Sequence, residues 1–253
     1  MSRYSIDYNL RITLPYIIFC IVVAELLVIP VYSRNNNDTV FAKHTKDFIV
    51  NGKGDNPAWN KTEWQQFIKI DSGGVDYKSK SKILYSENGL YLLFSGEDNL
   101  ITTKDYKDDQ EIYEGDVFEF FLRLDTTKPV YFEYEINAKQ KQLILTLSGS
   151  KKNIAWSPWS YEYRHNPQIV RKVNVVTQRG GRNNKIMSWS AEIFFPYEIL
   201  ALLPGVPPKS GSQWMGNFCR IDYDSGKMIQ WSWSKKIVKD FHEVQHFGTI
   251  IFE

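Results

Sequence analysis

From Lys82 to the C-terminus, apolar and polar residues alternate in short runs, and this period of two constrains the fold more than any other feature of the chain. In residues 117–124, VFEFFLRL, the even positions Phe118, Phe120, Leu122 and Leu124 are all apolar. Successive side chains of a strand point to opposite faces, so these four belong on a buried face and Glu119, Phe121 and Arg123 on the other. The next run, residues 131–137, sends Phe132, Tyr134 and Ile136 inward and Tyr131, Glu133, Glu135 and Asn137 outward. If the two runs pair, Glu119, Glu135 and Asn137 share one polar sheet face. Trp189, Ala191, Ile193 and Phe195 form a further inward row, and Trp231 and Trp233 share a face that reads as core.

Comparable runs occupy residues 82–85, 90–95, 143–147, 169–176, 187–195, 214–221, 229–234 and 249–252. With a short apolar stretch at 48–50 they predict about eleven strands. Ser86-Glu87-Asn88-Gly89 is a hairpin signal, and residues 125–129, ending in Pro129, turn the chain between two strands. Helical periodicity is confined to 57–64 and 197–202; Pro196 ends the strand before the second of these and can open a helix. No strand–helix–strand unit recurs, which argues against a parallel sheet. The prediction is an all-β fold: an antiparallel two-sheet β-sandwich, jelly-roll or immunoglobulin-like, with one or two short helices.

Thirty-one Lys and Arg against 29 Asp and Glu give a net charge of +2, too balanced for a nucleic-acid binder that must displace counterions from phosphates. Two cysteines cannot build a disulfide scaffold. The aromatic content is high: 8 Trp, 15 Tyr and 15 Phe. Rings pack between sheets, and they also form platforms for ligands. A polar sheet face flanked by aromatics is either a solvated outer face or a saccharide platform. Sugars offer apolar C–H faces to rings and hydroxyl edges to carboxylates, amides and guanidinium groups.

Residues 13–31 are an apolar run, interrupted by Glu25 and preceded by Arg3 and Arg11, and Val31-Tyr32-Ser33 has a small-residue cleavage pattern. Residues 1–33 therefore read as a secretory signal or, with about 19 apolar positions, a membrane anchor. The corresponding locations are secreted, periplasmic or cell-surface for the first, single-pass membrane-anchored for the second. Cys20 lacks a lipobox, since Phe19 stands where a small residue is required. Residues 34–46 are polar and read as a linker, and 47–253 as the folded domain. Cys219 reads as a buried free thiol.

Five stretches, in order, resemble one family. Residues 47–59, DFIVNGKGDNPAW, resemble the "DG-x-x-D-x-P-x-W" opening of carbohydrate-binding module family 9, a group within the DOMON-like β-sandwiches. Residues 82–92 resemble its "K-hydrophobic-L-W…Y-L-Y" hairpin. Residues 114–121, EGDVFEFF, and 131–137, YFEYEIN, resemble its next two strands, and 240–248, DFHEVQHFG, its closure. The resemblance spans about residues 45–253 and implies a sandwich that binds a mono-, oligo- or polysaccharide without chemistry of its own. It implies a ligand site with Tyr113 and Phe241 as the clamping rings, Glu119 as the strand carboxylate and Asn137 as the terminal amide of the next strand. Glu135 stands where some sugar-binding members place Arg, and Arg220 is a candidate guanidinium from another strand. Trp is typical at the clamp positions; Tyr and Phe offer smaller stacking surfaces. Calcium sites occur in the family, and the acidic stretch 105–116 offers oxygen ligands for one. Such modules accompany glycosidases, which makes a glycoside hydrolase a partner in trans and polysaccharide catabolism the setting.

Other readings compete. His242-Glu243-Val244-Gln245-His246 satisfies H-E-x-x-H, but a zinc protease needs it on a helix, and here a terminal strand follows. Glu119 and Glu135 would have to serve as acid and base in a hydrolase, with no feature to separate their roles. A haem-binding relative needs axial His or Met; His44, His165, Met187, Met215 and Met228 are available, in no recognisable pair. A ligand-free structural or interaction domain is the remaining alternative.

Overall fold

The computed structural model describes residues 38–150, 153–158, 168–180, 183–201 and 203–253. The apolar leader and His165 lie outside them. Among the described residues no helix is long and apolar enough to cross a membrane.

The strands are β1 (Thr39–His44), β2 (Gln65–Gln66), β3 (Ile68–Lys69), β4 (Ser79–Tyr85), β5 (Gly89–Glu97), β6 (Val117–Arg123), β7 (Val130–Asn137), β8 (Gln142–Ser150), β9 (Asn153–Pro158), β10 (Val170–Gly180) and β11 (Asn183–Pro196). A single-turn helix, α1 (Tyr197–Leu200), precedes β12 (Gln213–Asp222), β13 (Ile229–Ser232) and β14 (Gly248–Phe252). The first sheet runs β14-β12-β6-β7-β8-β9, with β13 and β3 continuing from β12. The second runs β10-β11-β5-β4, with β2 beside β4. All of these pairs are antiparallel, and the predicted sandwich is the observed one.

β1 lies within the stretch that reads as a linker, and it links the layers. Its first four residues pair with β14 of the first sheet and its last two with β4 of the second, both in parallel. Val40 and Ala42 alternate into the core between the half-buried Thr39, Phe41 and Lys43, too short a run to stand out in the sequence. β9 also went unpredicted. The stretch 48–50 is a loop, and the first predicted helix is a 3-10 turn, Pro57–Lys61, capped by Asn56 Oδ1 accepting from the Ala58 amide at 2.9 Å. The turn buries Trp59, whose Nε1 donates to Glu192 Oε1 at 2.8 Å. Glu192 Oε2 accepts from the Asn51 and Gly52 amides at 2.8 and 2.9 Å, so the opening motif is fastened to β11.

The core lies between the sheets and is built from the inward rows. Phe94 of β5 stacks on Phe118 of β6 with centroids 5.1 Å apart, and Phe118 tilts against Trp189 of β11 at 4.2 Å. Trp231 and Trp233 are buried in the same cluster. The outward rows of the first sheet differ from the sequence expectation of an open polar face. The segments between β5 and β6 and between β13 and β14 fold across it. Ile112, Ile237, Phe241, Val244 and Phe247 from those segments pack on Phe121, Tyr131, Leu143 and Cys219. Glu119, Glu135 and Asn137 keep their predicted face but are buried beneath this cover.

Candidate functional site

The covered face encloses a cavity of about 390 Å³. β6 and β7 supply its floor. Glu119 and Glu135 are cross-strand partners, and Glu133 lies one pleat along on β7. The three carboxyl groups each bring an oxygen within 4.8 Å of the others. β8 and β9 supply an apolar wall of Leu143, Leu145, Leu147 and Ile154, with Trp156 at the end. Phe241 comes from the segment after β13 and Tyr113 from the one before β6.

The rings differ in setting. Phe241 is only 3% exposed and meets Phe121 edge-on at 6.2 Å, so its ring is a wall of the cavity rather than a free platform. Tyr113 is 37% exposed and Trp156 60% exposed. Trp156 is directly opposite Leu147 on the sheet edge. It was missed from sequence because the run around it is only six residues long. The alternation of Ile154, Trp156 and Pro158 with the small or polar Asn153, Ala155 and Ser157 is the signal that was there to read.

Of the residues the resemblance put in the site, Tyr113, Glu119, Glu135 and Phe241 line this one cavity. Asn137 is on the same face but holds the β7–β8 turn. Its Oδ1 accepts from the Lys139 and Lys141 amides at 3.0 and 2.9 Å, and its amide donates to Thr103 Oγ1 at 3.2 Å. Arg220 is opposite Phe118 in register and so points between the sheets, away from the cavity. There Nη2 pairs with Asp98 Oδ2 at 3.1 Å and Asp222 Oδ2 at 2.5 Å, and Nη1 donates to Ser79 Oγ and Glu97 O. The guanidinium is fully buried and structural in its contacts.

Burial raises the acids of the floor. Glu119 and Glu135 are held well above the ordinary carboxylate range, by burial first and then by the charge of Glu133. Glu133 is pushed up to about 7 for the same leading reason. At neutral pH part of this set is protonated, and a carboxylic acid can both donate to and accept from a hydroxyl. Burial lowers the affinity of His242 for a proton, and its Nδ1 is 2.9 Å from Tyr131 Oη. His246 is separate, 3.4 Å from Glu243, and Val244–His246 is a 3-10 turn, so H-E-x-x-H is not presented on an α-helix.

A second acidic group gathers Asp98, Asp116, Asp222 and Asp224 within 4.8 Å. Of the acidic stretch 105–116, Asp116 alone enters it. Asp116 accepts from the Thr102 and Tyr223 amides, and Asp224 Oδ1 is enclosed without a partner. The donors are all oxygen, the kind a hard cation such as calcium takes, but Arg220 already balances Asp98 and Asp222 and both Asp116 oxygens hold backbone amides, so of the four acids only Asp224 offers an unpartnered oxygen, Oδ1. Burial pushes Asp98 up to about 7 and Asp116 up to about 8. A carboxyl whose folded value is raised contributes stability at low pH that is lost as pH rises through that value. The melting temperature is therefore expected to fall between pH 5 and pH 9. Thermal melts across that range check this.

An antiparallel sandwich with a ring-walled, carboxyl-floored cavity on one sheet face has the form of a carbohydrate-binding domain. Residues 55–252 match the model of carbohydrate-binding family 9, and the chain belongs to that family. Among solved structures, a candidate carbohydrate-binding protein from Bacteroides uniformis is 16% identical with a TM-score of 0.65, covering 86% of this chain and all of its own. A family 9 module from Caldicellulosiruptor kristjanssonii in complex with glucose is 15% identical with a TM-score of 0.55, covering 85% of this chain and 95% of its own. The complex of such a module from the same organism with cellotriose gives 15% identity and a TM-score of 0.53, over 85% and 93% of the two chains. At these identities the likeness speaks for the fold. No curated protein matches the chain.

Proposed function

We propose that the chain binds a saccharide, without catalysis, in the cavity on the outer face of β6–β9. The observation that carries this is the joining of rings and carboxyls in one cavity: Tyr113, Trp156 and Phe241 as apolar surfaces, Glu119, Glu133 and Glu135 as hydrogen-bonding groups. Its volume of about 390 Å³ accepts one or two sugar rings rather than a long polysaccharide stretch. Family membership and the glucose and cellotriose complexes of similar modules support a carbohydrate as the ligand class. The apolar run at 13–31 supports export or anchoring at the cell surface, where polysaccharide breakdown would supply the ligand and a glycoside hydrolase would act in trans.

The test is a glycan array on the full chain, repeated with Tyr113→Ala. Binding above background with a weaker signal for the variant is expected. Absence of any glycan signal would overturn the function and leave the fold standing.

A further inference from the structure

The floor of the cavity gathers three buried carboxyl groups, and no cation among the described cavity-lining residues faces them. Glu133 and Glu135 are 4% and 1% exposed, and one oxygen of each, Oε2, is enclosed without a hydrogen-bond donor. Among the described residues that line the cavity there is no Lys and no Arg, while Asp109, Glu111 and Asp240 add three more carboxyls nearer its rim. His242 is no substitute, because burial disfavours its charged form. Elsewhere in the molecule two buried acids, Asp98 and Asp222, do have a counter-ion, Arg220 set between them. Burial without a counter-ion disfavours the ionised form of these acids, and a cation entering the cavity would restore it, so the set is suited to a cation from outside.

The shape of the set narrows that cation. Three carboxyls converge within 4.8 Å, and a primary ammonium has three donors to give them. The walls next to them are Leu143, Leu145 and Phe241, which offer no further oxygen ligands. Calcium would use the carboxyl oxygens alone and leave the apolar wall unengaged, whereas an organic cation uses both the acids and the wall.

Resting on the saccharide reading above, we propose that the cavity selects a sugar bearing a free amine, with its ammonium seated on Glu119, Glu133 and Glu135 and its ring against Phe241. An uncharged N-acetyl sugar gains nothing from the three acids, and a neutral sugar meets them only through hydroxyls.

Calorimetry on the full chain at pH 7 separates these cases with three trisaccharides of one backbone: the β-1,4-glucosamine trimer, its N-acetylated form and cellotriose. The amine trimer is expected to bind at least about tenfold more tightly than cellotriose, in line with the added strength of charge-assisted hydrogen bonds. The variant Glu133→Gln with Glu135→Gln, which keeps volume, should erase that preference while melting as a folded protein. Cellotriose binding as well as the amine trimer would overturn the proposal and leave saccharide binding intact. No binding by any of the three, against a positive glycan array for some other sugar, would also overturn it. Calcium chloride binding that both Gln substitutions abolish, with no preference among sugars, would make the three acids a metal site instead. If the variant fails to fold, the wild-type ranking of the three sugars still decides.

Discussion

Arg220→Ala is expected to cost about 3–5 kcal/mol of stability, enough to leave a domain of ordinary stability largely unfolded. The reason is the company the side chain keeps. It is fully buried, and its Nη2 lies between Asp98 and Asp222, both buried themselves. Asp98 Oδ2 also accepts from Trp189 Nε1 at 3.0 Å, so losing the guanidinium disturbs the packing of the second sheet as well. Rings of Tyr77, Phe118 and Trp231 lie 5.2, 5.7 and 5.5 Å from the guanidinium carbon, and these contacts go too. Adding Asp222→Asn to Arg220→Ala should restore part of the loss, because one uncompensated charge is removed. Circular dichroism melts of the single and double variants measure this. A folded Arg220→Ala protein that had merely lost ligand affinity would put the guanidinium in the wrong place.

Phe241→Ala carries the second large effect, about 3–5 kcal/mol, the usual loss for deleting a buried ring. Phe241 packs in the cluster under the covering segment, against Phe121 and beside Phe247 and Val244. Its removal loosens the segment that closes the cavity, so saccharide affinity should fall with stability. Phe241→Leu retains most of the buried volume and should lose less than about 1.5 kcal/mol while still weakening binding, because the flat ring is gone. Urea unfolding of both variants beside a binding titration separates the two losses.

The sandwich was legible because β6, β7 and β11 alternate cleanly. In each of them, one row of apolar residues leaves a single choice of face. The sense of Arg220 was not legible for the opposite reason. In Phe218-Cys219-Arg220-Ile221-Asp222 both rows contain apolar residues, so periodicity alone could not say which points to the core. Register with Phe118 and Trp231 decides it. The acids of the site were found on the correct face and misjudged as open to solvent. What buries them is a pair of long connections that carry no periodic signal, and a cover of that kind is a tertiary event. Glu133 was visible in the same row as Glu135 but was not singled out, since a carboxylate on an outer strand face is ordinary until something folds over it. Trp156 and β9 were lost because an edge strand of six residues gives only three members of each row, too few for the alternation of Ile154, Trp156 and Pro158 to stand out.

The central claim is that the cavity over β6–β9 takes a saccharide, and Trp156 tests it most directly. The side chain is 60% exposed at the cavity edge, so Trp156→Ala should change stability by no more than about 0.5 kcal/mol. Calorimetric titration of the full chain with the tightest glycan found for the wild type, on wild type and Trp156→Ala side by side, is the measurement. The account predicts a melting temperature close to wild type and an affinity lower by about tenfold, the loss of one ring–sugar stack. Equal affinity in the two proteins would contradict it, and would place any sugar site elsewhere on the molecule.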